Sequence, residues 1–167
     1  FYTMRNILRD GGAQDIAALQ QLNYTTGSGG YTNSTTPSIW PSKGVITSPY
    51  GSRVDPVTGA ASAFHEGVDI ADDYGTPIVA TAAGTVTFAG YTEGGYGNLV
   101  EIDHGNGFVT RYGHNSAVLV TPGMTVKQGQ VIAVMGSTGK STGAHVHYEV
   151  RINGSAVDPM VFLPISN

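Results

Sequence analysis

The chain has 167 residues, enough for one ordinary domain with a real core and a short appendage. A net charge of −4 gives no general attraction to nucleic acid, and no apolar run approaches the ~20 residues of a membrane-spanning helix. There is no cysteine, so any metal must use His, Asp or Glu, and 24 glycines with only 12 % charged residues point to tight turns and a mainly β body.

Residues 1–22 differ from the rest. "FYTMRNILRD" places Tyr2, Met4, Ile7 and Leu8 at helical spacing, and Asp10-Gly11-Gly12 ends or kinks that helix. "AQDIAALQQL" predicts a second short helix. The chain does not open on an initiator Met, which fits a fragment of a longer, membrane-anchored or secreted precursor. Residues 23–38, "NYTTGSGGYTNSTTPS", carry no periodicity and read as a polar linker. The expected division is residues 1–40 as helical segment and linker and residues 41–167 as the functional domain.

From Trp40 onward the pattern is strands and turns. "GVITSPYGSR" (44–53) is a strand entering a loop, and "GTPIVATAAGTVTFAG" (75–90) is two strands broken at Ala83-Gly84. "NLVEIDHGNGFVTRYGH" (98–114) is a hairpin turning at His104–Gly107, where Asn-Gly suits positive φ angles. "GMTVKQGQVIAVMG" (123–136) gives two more strands, and "HVHYEVRINGSAV" (145–157) a last hairpin at Asn153-Gly154.

Strand alternation places His145, His147, Glu149 and Arg151 on one face and Val146, Tyr148, Val150 and Ile152 on the other. The second set is a core face. The first is either a wet face or half of a metal site. "FHEGVDIA" adds His65 and Asp69, four residues apart and on one face of a strand. Two imidazoles and a carboxylate, with a fourth position open to water, form a usual catalytic zinc set. Such a zinc lowers the pKa of its water toward ~7. In "TRYGHN", Phe108, Thr110, Tyr112 and His114 share a face by parity, and His114 follows Gly113 at the strand end, where it can lean into a cleft.

These residues carry a resemblance. "GSRVDPVTGAASAFHEGVDIA", "GTPIVATAAGTV", "GYGNLVEIDHGNGFVTRYGH", "VKQGQVIAVMGSTGKSTGAHVHYEV" and "NGSAVDPMVFL" occur in order over about residues 48–163. Together they resemble the lysostaphin-type zinc endopeptidases that cut peptide cross-links of bacterial peptidoglycan. The resemblance implies an antiparallel two-sheet β core, the duplicated hybrid motif, with a groove over one zinc. It implies His65, Asp69 and His147 as metal ligands, and His114 and His145 as the catalytic pair that does not bind metal. It implies peptidoglycan stem peptides or cross-bridges as substrate. The implied location is the bacterial cell envelope, periplasmic or extracellular. Some members of the family lose ligands and serve as scaffolds or amidase activators, which is the alternative function. All five positions are filled here. A biotin- or lipoyl-type carrier domain would need a lysine at a hairpin tip. Lys127 precedes Gln128-Gly129 without the carrier motif.

Other candidates have plainer roles. His104 is expected to stabilise its turn, and Glu149 to be a solvated charge, with a partner orienting an imidazole as the alternative. Arg53 and Asp55 are expected to pair near the groove rim. Tyr74, Tyr91 and Tyr96 could line a peptide groove. "GSTGKSTG" (136–143) lacks phosphate-loop spacing and leads into a strand, so it is expected to shape the groove wall.

Overall fold

The computed structural model describes residues 31–51, 64–139, 141 and 143–164. The expected helices within 1–22, and Arg53 and Asp55, lie outside these residues. The described chain folds as two antiparallel sheets, as expected of a mainly β protein. In the larger sheet β1 (Val45–Ser48), β2 (Val68–Ala71), β10 (His145–Ile152), β6 (Phe108–Asn115), β5 (Gly97–Asp103), β4 (Gly84–Thr92) and β8 (Thr125–Val126) follow one another. β11 (Ser155–Val157) pairs with β10 beyond the end of β2. In the smaller sheet β9 (Val131–Val134) lies between β3 (Pro77–Val79) and β7 (Ala117–Val118).

Alternation along the strands builds the core. Val100 and Ile102 of β5, Tyr112 of β6, and Val146, Tyr148 and Val150 of β10 cluster with Ile78 of β3 and Ile132 of β9. Each such apolar side chain contributes roughly 1.5–3 kcal/mol on burial. β9 is buried at every position, as a central strand covered on both faces must be, and its sequence Val-Ile-Ala-Val is correspondingly apolar. The last hairpin turns at Asn153 and Gly154, with φ of 50° and 88°, the left-handed pair that a two-residue turn needs. In the 104–107 turn the positive φ angles fall on Gly105 and Gly107 and not on Asn106. β7 and a 3-10 turn at Pro159–Val161 have no counterpart in the sequence reading. Both are too short to leave a periodic signal.

Part of the segment read as a linker is bonded to the domain. Thr32 pairs with Gln128 through both backbone bonds, and its hydroxyl donates to Gln128 Oε1 at 2.7 Å. Gln128 Nε2 donates in turn to Thr36 O, Ser38 Oγ and Thr81 O.

A polar seam crosses the core below Thr81. His104 Nε2 accepts from Thr110 Oγ1 at 2.8 Å, and its Nδ1 donates to Ala83 O at 2.8 Å. Thr110 Oγ1 meets Tyr112 OH at 2.7 Å, Tyr112 OH meets Thr81 Oγ1 at 3.0 Å, and Thr81 Oγ1 meets Tyr148 OH at 2.8 Å. Tyr112 OH also accepts from Thr81 N at 3.0 Å. Every partner is used, so the seam ties β6 and β10 to the connection after β3 without an orphaned group. His104 closes its turn from inside, as a structural residue.

Tyr112→Phe leaves the Thr81 N–H unpaired and is expected to cost about 1–3 kcal/mol. Denaturant unfolding at equal m-value measures this, and an unchanged midpoint contradicts the seam's role. Burial lowers the pKa of His104, with the bond to Ala83 and the charge of Asp103 opposing. Its stabilising effect is therefore complete above the unfolded histidine value of about 6.5 and is lost as pH falls through it. Compared with the wild type, His104→Gln should show a smaller drop in melting temperature between pH 7 and pH 5.

Candidate functional site

The site forms on the face of the larger sheet that points away from the smaller one. Three adjacent strands supply it. On β10, His147 stands directly opposite Asp69 of β2 on one side and Gly113 of β6 on the other. His65 lies just before β2 and is held by paired backbone bonds to Gly51. His114 ends β6, and His145 begins β10. The fold thus brings all five expected site residues together.

Three of them present one ligand atom each to a common point. His65 Nε2 lies 3.3 Å from Asp69 Oδ1 and 3.3 Å from His147 Nδ1, and His147 Nδ1 lies 2.9 Å from Asp69 Oδ1. Tetrahedral ligands at 2.0–2.2 Å from a zinc stand about 3.3–3.6 Å apart. Two neutral imidazoles and a carboxylate in this arrangement can hold a metal ion. His145 Nε2 stands 3.8 Å from Asp69 Oδ1, outside that group.

Each imidazole is fixed through its other nitrogen. His65 Nδ1 donates to Pro49 O at 2.8 Å, which leaves Nε2 as the acceptor facing Asp69. His147 is turned the other way round. Its Nε2 donates to Glu149 Oε2 at 2.8 Å and its Nδ1 faces the cluster. Holding the second nitrogen sets both the tautomer and the ring orientation of a metal-binding histidine. His114 Nδ1 donates to Thr138 O at 2.7 Å, and His145 Nδ1 donates to Gly143 O at 2.8 Å. In the neutral form of either ring, Nε2 is then the acceptor. The two rings lie 4.7 Å apart between centroids, and His114 lies 6.1 Å from the His147 ring.

Glu149 is not the solvated charge that was expected but matches the alternative, a partner bonded to an imidazole. Its residue is 1 % exposed. Its carboxylate is saturated instead by donors: His147 Nε2, Tyr96 OH at 2.6 Å, and Arg151 Nε at 2.8 Å. Parity with His147 carried a signal for this, but sequence does not say that a loop tyrosine covers that end of the sheet. Burial alone would raise the Glu149 pKa, yet the bonds from His147 and Tyr96 hold it down at about 2. Burial alone would lower the His147 pKa, yet Asp69 and Glu149 on either side raise it to about 9. Asp69 follows the same pattern: burial would raise it, and the two histidines hold it well below the carboxylate range. The cluster is thus electrostatically prepared for a cation, whether proton or metal.

His114 reaches the cleft by a different route from the parity argument. Thr110 and Tyr112, its supposed face-mates, are fully buried in the core. Strict alternation would bury His114 with them. Instead His114 takes φ of 65°, a left-handed value uncommon for a residue with a side chain, and this turns its ring to the outer face. Its backbone N–H donates to Tyr96 O at 2.6 Å. The 136–139 loop that carries Thr138 lies flush on the 95–97 backbone. Gly97 and Gly139 have φ of 68° and 72°, and a Cβ on either would collide with the backbone of the other loop. The described part of the glycine-rich run therefore packs on the 95–97 backbone and places the carbonyl that orients His114. Tyr74 and Tyr91 are exposed, and Tyr96 is half-buried against His147.

Residues 63–159 match Peptidase family M23. The chain is 49 % identical over 120 residues to DD-carboxypeptidase/endopeptidase Mpg of Neisseria meningitidis, covering 71 % of this chain and 27 % of that protein. It is 40 % identical over 125 residues to murein hydrolase activator NlpD of Escherichia coli, covering 75 % of this chain and 31 % of that one. The chain thus spans about a quarter to a third of these relatives. Among solved structures, a zinc-containing peptidase from Vibrio cholerae superposes with a TM-score of 0.68 at 35 % identity, over 78 % of this chain and 40 % of that one. The catalytic domain of lysostaphin from Staphylococcus simulans superposes with a TM-score of 0.63 at 34 % identity, over 71 % and 90 %. The chain belongs to peptidase family M23, the lysostaphin-type family, and has its two-sheet fold.

Proposed function

We propose that this domain is a zinc-dependent endopeptidase that hydrolyses peptide bonds in the stem peptides or cross-bridges of peptidoglycan. The observation that carries the reading is the convergence of His65 Nε2, Asp69 Oδ1 and His147 Nδ1 beside two further anchored imidazoles. His65, Asp69 and His147 would hold the zinc. Bound there, zinc supplies Lewis acidity and lowers the pKa of a water toward ~7.

The chain's own groups manage the protons. His114 and His145, each with its Nδ1 proton given to a carbonyl, offer Nε2 as acceptor. One of the pair takes the proton of the attacking water. Protonated, it can return that proton to the leaving amine. The other donates a hydrogen bond to the oxyanion that develops on the scissile carbonyl. Burial lowers the His114 pKa, assisted by the neighbouring histidines and opposed by Thr138 and Asp69, so the ring is neutral and ready to accept at neutral pH.

A second reading is a non-catalytic envelope scaffold or activator on the same fold. The identity to a murein hydrolase activator favours it, and the complete set of five site residues favours catalysis. Both readings place the mature protein in the bacterial cell envelope with peptidoglycan as its partner.

Purified sacculi from several bacteria, incubated with the zinc-loaded protein and resolved by mass, separate the two. New peptide termini lost on chelation support the peptidase. No new termini alone, but faster cleavage by an added amidase, supports the activator. His147→Ala is expected to lose zinc and turnover together. His114→Ala should keep zinc by metal analysis and lose about 10²–10⁴-fold in turnover. Full zinc in the His147 variant overturns the ligand assignment.

A further inference from the structure

The outer face of the larger sheet carries a row of polar side chains that ends on the metal cluster. Glu101 of β5, Arg111 of β6 and Glu149 of β10 are direct cross-strand partners. Thr87 of β4 donates to Glu101 Oε1 at 2.8 Å, and Arg111 Nε donates to Glu101 Oε2 at 2.6 Å. Arg111 Nη1 stands 3.9 Å from Glu149 Oε1, too far for a hydrogen bond. The row is completed by Tyr96, which comes from the β4–β5 loop and not from a strand. Arg111 Nη1 donates to Tyr96 OH at 3.3 Å, and Tyr96 OH donates to Glu149 Oε2 at 2.6 Å. That oxygen is also the one that accepts from His147 Nε2.

Tyr96 touches the other half of the site through different atoms. Its backbone carbonyl accepts from His114 N at 2.6 Å, the residue whose left-handed φ turns it to the cleft. Its ring lies against Gly113, where an added Cβ would stand 3.1 Å from Tyr96 Cδ1. The ring also lies 5.7 Å from that of His147. One residue thus borders both the ligand histidine and the strained non-ligand histidine.

We propose that Tyr96 is a positioning residue for both halves of the site: its hydroxyl fixes Glu149 and so His147, and its ring and carbonyl hold the Gly113-His114 kink. This rests on the metallopeptidase reading above. The hydroxyl role follows from geometry. Without that donor, Glu149 Oε2 keeps only His147, and the carboxylate can rotate about its bond from Arg151. Groups that orient a metal-ligating histidine typically set metal affinity by 10–100-fold. The ring role follows from packing. Gly113 has no side chain, so the ring of Tyr96 fills the space beside the kink.

The test uses Tyr96→Phe, Tyr96→Ala and Glu149→Gln in the full chain. Zinc affinity is read by chelator competition, turnover is read at saturating zinc on sacculi, and melting temperature is read without metal. Tyr96→Phe keeps ring and carbonyl and should weaken zinc by about tenfold or more, with turnover rising again as zinc is saturated and a lower metal-free melting temperature because buried Glu149 loses a donor. Glu149→Gln leaves packing intact and should weaken zinc by at least as much. Tyr96→Ala should match Tyr96→Phe in zinc affinity but lose a further tenfold or more in saturated turnover. Wild-type zinc affinity in Tyr96→Phe overturns the hydroxyl role. Equal saturated turnover in the Phe and Ala variants overturns the ring role. Absence of zinc binding by the unaltered protein overturns the metallopeptidase reading itself and not merely this inference.

Discussion

β10 runs between β2 and β6, and its register against both is the constraint on which the site depends. His147 sits opposite Asp69 on one side and Gly113 on the other. Slipping β10 by one residue would send both histidines into the core and bring Val146 and Tyr148 out to the cleft. The penalty is large, because Val146, Tyr148 and Val150 are fully buried and each contributes a few kcal/mol. Packing on one face of the strand thus fixes chemistry on the other. The Tyr148 hydroxyl adds a polar lock, since it has its partner in Thr81 only in this register.

The buried face and the site face follow different rules. Inside, hydroxyls and one imidazole satisfy each other in a seam across the core. Outside, the same strands carry a row of alternating charge from Glu101 through Arg111 and Tyr96 to Glu149. Burying Glu149 without donors would be costly, and with three it becomes a fixed negative pole beside His147. Asp69 supplies negative charge on the other side of the same ring. The imidazole between them is thereby drawn toward a cation.

Hydrogen bonds through the second ring nitrogen orient all four site histidines. His65, His114 and His145 each give Nδ1 to a backbone carbonyl, and His147 alone gives Nε2 to a carboxylate. Backbone carbonyls from two connections, the one after β1 and the one between β9 and β10, therefore do much of the orienting. Such partners are invisible to a search for site residues by side-chain type, because any residue supplies a carbonyl.

Most strands, both hairpins and the outward face of β10 were legible in the sequence because alternation and glycine-marked turns are local, while His114 entered the set of five site residues through the resemblance and not through parity. His65 and Asp69, four apart, and His145 and His147, two apart, were legible for the same reason. Only the tertiary structure decided the rest. It buried Glu149, which parity could place on a face but not cover, since its cover is Tyr96 from a distant loop. It also overturned parity at His114, because a left-handed backbone there escapes the period of two and depends on Tyr96 O and Thr138 O to hold it. Local pattern sets which way a side chain points, and contacts far apart in the chain set whether that direction meets water, core or another polar side chain.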